Sequence, residues 1–247
     1  MLTNKKCGVD LVILLDATAN MKQGLPTLKQ WLKSLFVQFF GEEKEDSEFL
    51  IQNWRAKIVG YRNVVSDYEW IDNNPFVSDV NSIENQLRFV EAKGSGGKSP
   101  SLLDALLTVG NMESASQGTA VDEWQWRNVR DAIRCIIVFS NNPYEPSLLR
   151  EDYVGMAFED VARRLMEKRI ILEMVTTSTP FDKLVSQEDF MDCYRKLAYI
   201  DRSDWIPLLT AQGLPMDFSE PGVNSVPIAQ FLVKEILKVA QLPIGFR

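Results

Sequence analysis

Apolar runs and amphipathic segments alternate along the chain. Four apolar runs that are rich in β-branched residues predict buried strands at 9–15, 56–61, 133–139 and 170–175. Two shorter runs predict further strands at 67–71 and 205–209. Because proline cannot donate to a strand ladder, Pro207 places the last of these strands at an edge of the sheet.

Between the strands, apolar residues recur every three or four positions, which is the period of an amphipathic helix. This spacing predicts helices at 21–40, at 83–90, from Pro100 onward, at 158–166, at 181–199 and at 226–240. Strands and helices alternate as they do in βαβ units. We therefore expect an α/β fold, doubly wound, with a mostly parallel central sheet and helices on both faces, formed as one domain by residues 1–247.

In doubly wound sheets, ligands bind beyond the carboxyl ends of the strands, near the point where the strand order reverses. Four loops of this chain lead to that edge, at 16–21, 61–67, 94–99 and 140–146. We therefore expect the functional residues to lie in these loops.

Composition narrows the classes of function. Histidine is absent, which excludes Ser-His-Asp and Cys-His nucleophile pairs and every histidine-ligated metal site. The 34 acidic residues exceed the 27 basic ones and give a net charge of −7, which argues against nucleic-acid binding. No apolar stretch is long enough to span a membrane and no signal peptide is indicated, so we expect a cytoplasmic location. The cysteines form no CxxC pair, and Cys135 is expected in the core.

Oxygen-bearing side chains alternate directly after the first predicted strand, in Asp16, Thr18 and Asn20. Carboxylate, hydroxyl and amide oxygens are ligands that Mg²⁺ accepts, so these residues are candidate metal ligands. Alternatively, Thr18 or Asn20 caps the following helix, which is the commoner role of such residues in a turn. Spacing alone leaves both interpretations open.

The chain resembles the von Willebrand factor type A family in four segments, VDLVILLDATANM, KIVGYRNV, GSGGKSPSLLDALLTV and RCIIVFSNNP. They resemble, in order, the family's first strand with its Asp-x-Ser-x-Ser turn, its second strand, its glycine-rich loop and its fourth strand. That turn forms part of a metal-ion-dependent adhesion site (MIDAS) in the family. The resemblance spans the chain and implies a doubly wound sheet and a protein partner within a multiprotein assembly.

The chain departs from the family at several ligand positions. Asn20 replaces a serine, and Lys98 or Ser99 stands where a further threonine or aspartate ligand is often found. After the fourth strand, Ser140 and Asn141 stand where Asp-Gly is common.

Asp16 is the one carboxylate that remains, and one carboxylate compensates a divalent cation poorly. We therefore predict a degenerate, metal-free site, in which the Lys98 ammonium group can lie near Asp16 and replace the charge of the metal.

A second motif, Ala92–Ser99, fits a relaxed phosphate-loop pattern, with Gly97, Lys98 and Ser99 as candidate nucleotide-binding residues. Such a loop follows a buried strand, whereas the preceding segment at 83–90 has helical spacing. A glycine turn that leads into a helix is the favoured interpretation.

Two tryptophans, Trp124 and Trp126, precede the strand at 133–139. Tryptophan is a common anchor of protein interfaces, but packing in the core or at the sheet edge is favoured for each of them.

We expect a non-catalytic adaptor that binds another protein through the carboxyl-edge loops, with neither nucleic acid nor membrane as its partner and without a cofactor. The predicted contact residues are Asp16, Thr18, Asn20, Asn63, Lys98, Ser99, Asn141 and Tyr144. One alternative is Mg²⁺-dependent ligand binding, with the metal held by Asp16, Thr18, Asn20 and Ser99. Another is a nucleotide-binding enzyme.

Overall fold

The computed structural model describes residues 8–40, 53–94, 98–176 and 205–207. Within these residues, one sheet contains β1 (Gly8–Asp16), β2 (Trp54–Tyr61), β3 (Ile71–Asn73), β4 (Ala132–Ser140), β5 (Ile170–Thr176) and β6 (Trp205–Pro207). The strand order is β3-β2-β1-β4-β5-β6, and every neighbouring pair is parallel except β2–β3. The order reverses between β1 and β4, which makes the sheet doubly wound.

Helices cover both faces of the sheet: α1 (Gly24–Phe40), α2 (Val80–Phe89), α3 (Leu102–Gly110) and α4 (Phe158–Glu167). The first two pack on one face through residues such as Phe36 and Ile83. The other two pack on the opposite face through residues such as Leu106 and Leu165. The fold class predicted from the sequence is confirmed.

The central strand β1 is buried along its whole length. Its side chains alternate between the two cores, with Leu11 and Ile13 facing α1 and α2, and Val12 and Leu14 facing α3 and α4. Burial of each such side chain stabilises the fold by about 1.5–3 kcal/mol. Because both faces are covered, the strand is continuously apolar rather than alternating.

The strand predicted at 67–71 is wrong in most of its length. β3 begins at Ile71 and pairs antiparallel with β2 at the edge of the sheet. Residues 62–70 form a loop instead, because Asn63 and Asp67 hydrogen-bond across it: the Asp67 N–H donates to the Asn63 carbonyl at 3.0 Å.

Helix boundaries differ from the sequence prediction for local reasons. Helix α2 begins before residue 83, because the Asp79 carboxylate accepts the Ser82 N–H at 2.8 Å and caps the helix. The predicted helix at 21–40 divides into a 3-10 turn, Ala19–Lys22, and α1. Helix α3 begins at residue 102, beyond Pro100.

The predicted helices at 181–199 and 226–240 lie outside the described residues. The predicted edge strand is present as β6 and pairs with β5. None of the described helices combines the length and the apolar character that crossing a membrane requires.

A buried carboxylate, Asp10, attaches the loop between α3 and β4 to the amino end of the sheet. Arg55 of β2 donates to it through Nη2 at 2.7 Å, and Arg127 of the loop donates through its backbone N–H at 2.7 Å and its Nε at 2.6 Å. Arg127 also donates to the Val9 carbonyl at 2.6 Å. This carboxylate is therefore fully paired, as a buried charge requires.

The two tryptophans of that loop differ in environment. Trp126 is fully buried and its indole N–H donates to the Val109 carbonyl at 3.1 Å, so it is a core residue. Trp124 is 44% exposed.

Lys57 of β2 is a buried cation beneath Trp124. Its Nζ lies 3.6 Å from the Met112 sulfur, and 5.4 Å and 5.1 Å from the ring centroids of Phe76 and Trp124. No carboxylate of the described ranges forms an ion pair with it. Burial, together with the charge of Arg55, lowers the pKa of Lys57 to about 7. Cation–π contacts therefore offset only part of the cost of burying this charge.

We predict that Lys57→Met makes the stability of the fold less dependent on pH and raises it near neutral pH. The lysine pKa is about 7 in the folded chain and about 10.4 in the unfolded chain. Between these values the unfolded chain binds more protons, so the free energy of unfolding of the wild type rises with pH. Urea denaturation across this pH range should give a shallower slope for Lys57→Met. Lys98→Met, at an exposed position, is the matched control. A wild-type slope in Lys57→Met contradicts the prediction.

Candidate functional site

Loops from different parts of the chain meet at the carboxyl edge of the sheet. The Ala17 N–H donates to the Tyr61 carbonyl at 2.9 Å, and the Lys93 N–H donates to the Ala17 carbonyl at 3.1 Å. The Glu145 N–H donates to the Pro100 carbonyl at 2.9 Å. The loops after β1, β2 and β4 and the segment before α3 therefore form one connected surface.

The Asp16 carboxyl lies at the centre of this edge and accepts hydrogen bonds from neutral donors on both sides. The Thr18 N–H and hydroxyl lie 3.0 Å and 2.7 Å from Oδ1. The Ser140 hydroxyl and the Asn142 amide nitrogen lie 2.8 Å and 3.1 Å from Oδ2. Since Thr18 follows β1 and Ser140 ends β4, the carboxyl joins the two strands between which the strand order reverses.

Burial raises the pKa of the Asp16 carboxyl above its ordinary value, because removal from water disfavours the charged form. The hydrogen bonds from Thr18, Asn142 and Ser140 oppose this rise. The carboxyl is thus stabilised by dipoles rather than by a neighbouring cation.

The structure does not place Lys98 beside Asp16. Lys98 is exposed, whereas Asp16 is fully buried, and no ion pair within the described ranges includes either residue. The physical reason is that donors from Thr18, Ser140 and Asn142 already surround the carboxyl.

Asparagine side chains continue the hydrogen-bond chain from Asp16 toward the surface. The Asn142 amide nitrogen also donates to the Asn141 side-chain oxygen at 2.7 Å, and the Asn20 amide nitrogen donates to the Asn142 side-chain oxygen at 3.4 Å. Asn141 and Asn142 are buried and Asn20 is half-buried. Of the three oxygen-bearing residues that follow β1, only Asn20 reaches solvent appreciably.

The residues around Asp16 do not fit a resident divalent cation. Mg²⁺ needs several oxygen ligands that face the ion in near-octahedral geometry. Here both carboxyl oxygens accept hydrogen bonds, and the nearby Thr18, Ser140 and Asn142 groups direct donors at the carboxyl. In the ranges that the structure describes, no group of three His, Cys, Asp or Glu residues is placed to hold a metal.

Asn63 shapes the loop after β2. Its side-chain oxygen accepts the N–H groups of Val65 and Ser66, both at 3.1 Å, and its amide nitrogen donates to the Ser99 carbonyl at 2.8 Å. Asn63 is buried and Ser99 is half-buried. Asn63 therefore holds the loop after β2 in place and joins it to the segment at Ser99.

Tyr144, which the sequence predicts at the binding surface, lies in the core between the sheet and helices α3 and α4. Its side chain is buried, so it is not an exposed anchor.

Two residues that the sequence analysis did not single out stabilise the same loops. Arg62 is buried, and its Nη1 and Nη2 donate to the Glu69 carbonyl at 2.9 Å and to the Asp72 carboxylate at 2.6 Å. The Asp104 carboxylate in the first turn of α3 accepts the N–H groups of residues 149–150 at 3.0–3.2 Å. Each partner lies at least seven residues away along the chain, so local spacing gives no signal for them.

Residues 5–181 match the family described as Mediator complex subunit 25 von Willebrand factor type A. The match covers well over half of the 247 residues and includes Asp16 and the loops around it. The chain belongs to this family. The resemblance to von Willebrand factor type A domains is thereby confirmed.

Solved structures show the same fold at low identity. Proximal thread matrix protein 1 from the mussel byssus, with a zinc-occupied MIDAS motif, is 11% identical with a TM-score of 0.56; the match covers 95% of this chain and 48% of that one. The pilus adhesin SpaC from Lactobacillus rhamnosus GG, in its open conformation, is 8% identical with a TM-score of 0.61, over 94% and 30%. This chain thus spans less than half the length of either protein. A comparison with curated proteins gives no match.

The expected cytoplasmic location is wrong, because a family of Mediator subunits points to the nucleus. Both compartments keep thiols reduced, so cysteine usage does not separate them. The expectation of a partner within a multiprotein assembly agrees with the family, as does a role other than catalysis.

We predict that Ser140→Ala lowers the free energy of unfolding by about 1–3 kcal/mol, because it removes one of the two donors to a buried carboxyl oxygen and leaves only the longer bond from Asn142. The Ser140 hydroxyl lies 2.8 Å from Asp16 Oδ2. Ser147→Ala, at an exposed position of the same loop, is the matched control and should change stability by less than about 0.5 kcal/mol. Urea denaturation measures both, and equal stabilities would show that Asp16 does not depend on this donor.

Proposed function

We propose that the chain is a non-catalytic interaction module that joins a Mediator assembly and contacts its partner through the carboxyl-edge loops without a metal ion. The family match supports the assembly, because the family is described by a Mediator complex subunit. The observation that carries the metal-independent mechanism is the Asp16 carboxyl, both oxygens of which accept hydrogen bonds from neutral donors.

In this proposal, exposed and buried residues of the edge have different roles. Lys98 is exposed, and Asn20 and Ser99 are half-buried, so these three can touch a partner directly. The buried residues hold the loops in place; they are Asp16, Thr18, Asn63 and Asn141. Preorganised loops lower the entropy that binding costs.

The environment of the ionisable groups supports a non-catalytic role. A general acid or base must come within hydrogen-bond reach of a substrate, but Asp16 is fully buried. Glu69 and Asp152, which lie in the exposed loops, are engaged by Lys93 and Arg150 at 2.5 Å and 2.6 Å.

The glycine-rich segment does not follow a buried strand, which argues against nucleotide binding. The element that precedes the glycine-rich segment is helix α2, whereas a phosphate loop follows a buried strand.

We also propose that residues 1–247 form one domain. The family match ends at residue 181, but β6 at 205–207 belongs to the same sheet and pairs with β5. The sheet therefore continues beyond the matched range.

We predict that purified Mediator prepared without subunit 25 captures the chain with equal affinity in EDTA and in Mg²⁺, because no step of binding uses the ion. Affinity can be measured by biolayer interferometry with the immobilised complex, and thermal unfolding in the same two buffers serves as the stability control. Binding that is lost in EDTA and restored by Mg²⁺ would contradict metal independence. A failure to bind in both buffers would contradict assembly into Mediator.

A further inference from the structure

Two apolar side chains project from the loop after β2, at the carboxyl edge. Tyr68 is fully exposed, and Val65 is 66% exposed. Single exposed apolar residues are common on protein surfaces. The setting of these two is unusual because the loop that carries them is held firmly by buried polar groups.

Hydrogen bonds fix the backbone of this loop at both ends and in the middle. The Arg62 N–H donates to the Trp70 carbonyl at 2.7 Å and closes the base of the loop. Within it, the Asn63 side-chain oxygen accepts the Val65 N–H at 3.1 Å. From outside, the Ser101 hydroxyl oxygen accepts the Val64 N–H at 3.1 Å.

Neighbouring segments support the loop from two sides. Gly94 has a φ of +101° and lies so close to the Asp67 carboxylate that a Cβ atom would collide with it. On the other side, the Arg150 guanidinium lies 5.5 Å from the ring centroid of Trp70. The tip that carries Tyr68 is therefore presented by a rigid base.

Lys98 lies beside this loop, because it adjoins Ser99, the residue whose carbonyl accepts the Asn63 amide at 2.8 Å. Lys98 is exposed and takes part in no ion pair with any residue that the structure describes. Lys93, in contrast, is neutralised by Glu69 at 2.5 Å. The loop after β2 thus presents an aromatic projection, and Lys98 places beside it a positive charge that is unpaired within the described ranges.

We propose that Tyr68 and Val65 insert into a concave apolar pocket of a protein partner, and that a carboxylate at the rim of the pocket faces Lys98. This inference rests on the proposed function and names the chemistry of the partner surface. A projecting aromatic residue requires a concave partner, because only enclosure removes both faces of its ring from water. Tyrosine is enriched among the residues that dominate binding energy, and a rigid loop loses little entropy when it docks.

The test uses the full chain and purified Mediator prepared without subunit 25. Tyr68→Ala should weaken binding at least tenfold, as expected for a truncated anchor residue. Val65→Ser should weaken it to a smaller extent. Met166→Ser, at an exposed apolar residue of α4 at the opposite edge of the sheet, is the matched control and should bind as the wild type does. Equal melting temperatures verify that each variant is folded.

The proposed pairing of Lys98 with a partner carboxylate is tested separately, by the salt dependence of the affinity. Lys98→Glu should weaken binding, and Lys98→Met should reduce the salt dependence of the affinity, because a rim charge acts mainly through screened, long-range attraction. If the salt dependence is unchanged in Lys98→Met, the proposal that a partner carboxylate faces Lys98 is overturned.

The outcomes separate this inference from the proposed function. If the wild type binds and Tyr68→Ala binds equally well, insertion of Tyr68 into a partner pocket is overturned, whereas assembly into Mediator stands. If the wild type does not bind, assembly into Mediator fails and the pocket fails with it. If Met166→Ser weakens binding as much as Tyr68→Ala, the contact lies elsewhere and the inference is overturned.

Discussion

A carboxyl group buried where the strand order reverses is the constraint on which the carboxyl edge depends. Removing Asp16 from water is costly unless its oxygens are hydrogen-bonded. Thr18 supplies donors from the turn after β1, and Ser140 and Asn142 supply them from the end of β4. Two loops that are distant in sequence must therefore keep their conformations together, and the remaining loops pack on them through backbone hydrogen bonds.

In the proposed function, the same hydrogen bonds hold the loops of the carboxyl edge in place for contact with a partner. Both oxygens of this carboxyl accept hydrogen bonds from neutral donors, which is the observation on which the proposal of metal-independent binding rests. Lys98 and Tyr68 are exposed at this edge. In the proposed function, the buried polar residues position the loops and the exposed residues contact the partner.

The central strand carries a second buried carboxylate near its other end. This carboxylate is stabilised by cationic rather than neutral donors. Asp10 is paired with the guanidinium groups of Arg55 and Arg127, whereas Asp16 accepts from neutral groups. The charged pairs attach the long loop between α3 and β4 to the amino end of the sheet. Lys57, close to Arg55, has no carboxylate of its own in the described ranges, and burial lowers its pKa to about 7.

The sequence by itself determined the order of strands and helices, the doubly wound fold and the place of Asp16 at the carboxyl edge of the sheet. Periodicity and apolar runs are local, and the sheet rules that convert them into a fold need no knowledge of individual contacts. Tertiary structure decided what each polar residue does: the donors around Asp16, the exposure of Lys98 and the burial of Tyr144. Those roles depend on segments that lie far apart in the chain and meet only when the sheet is formed, so no local pattern encodes them.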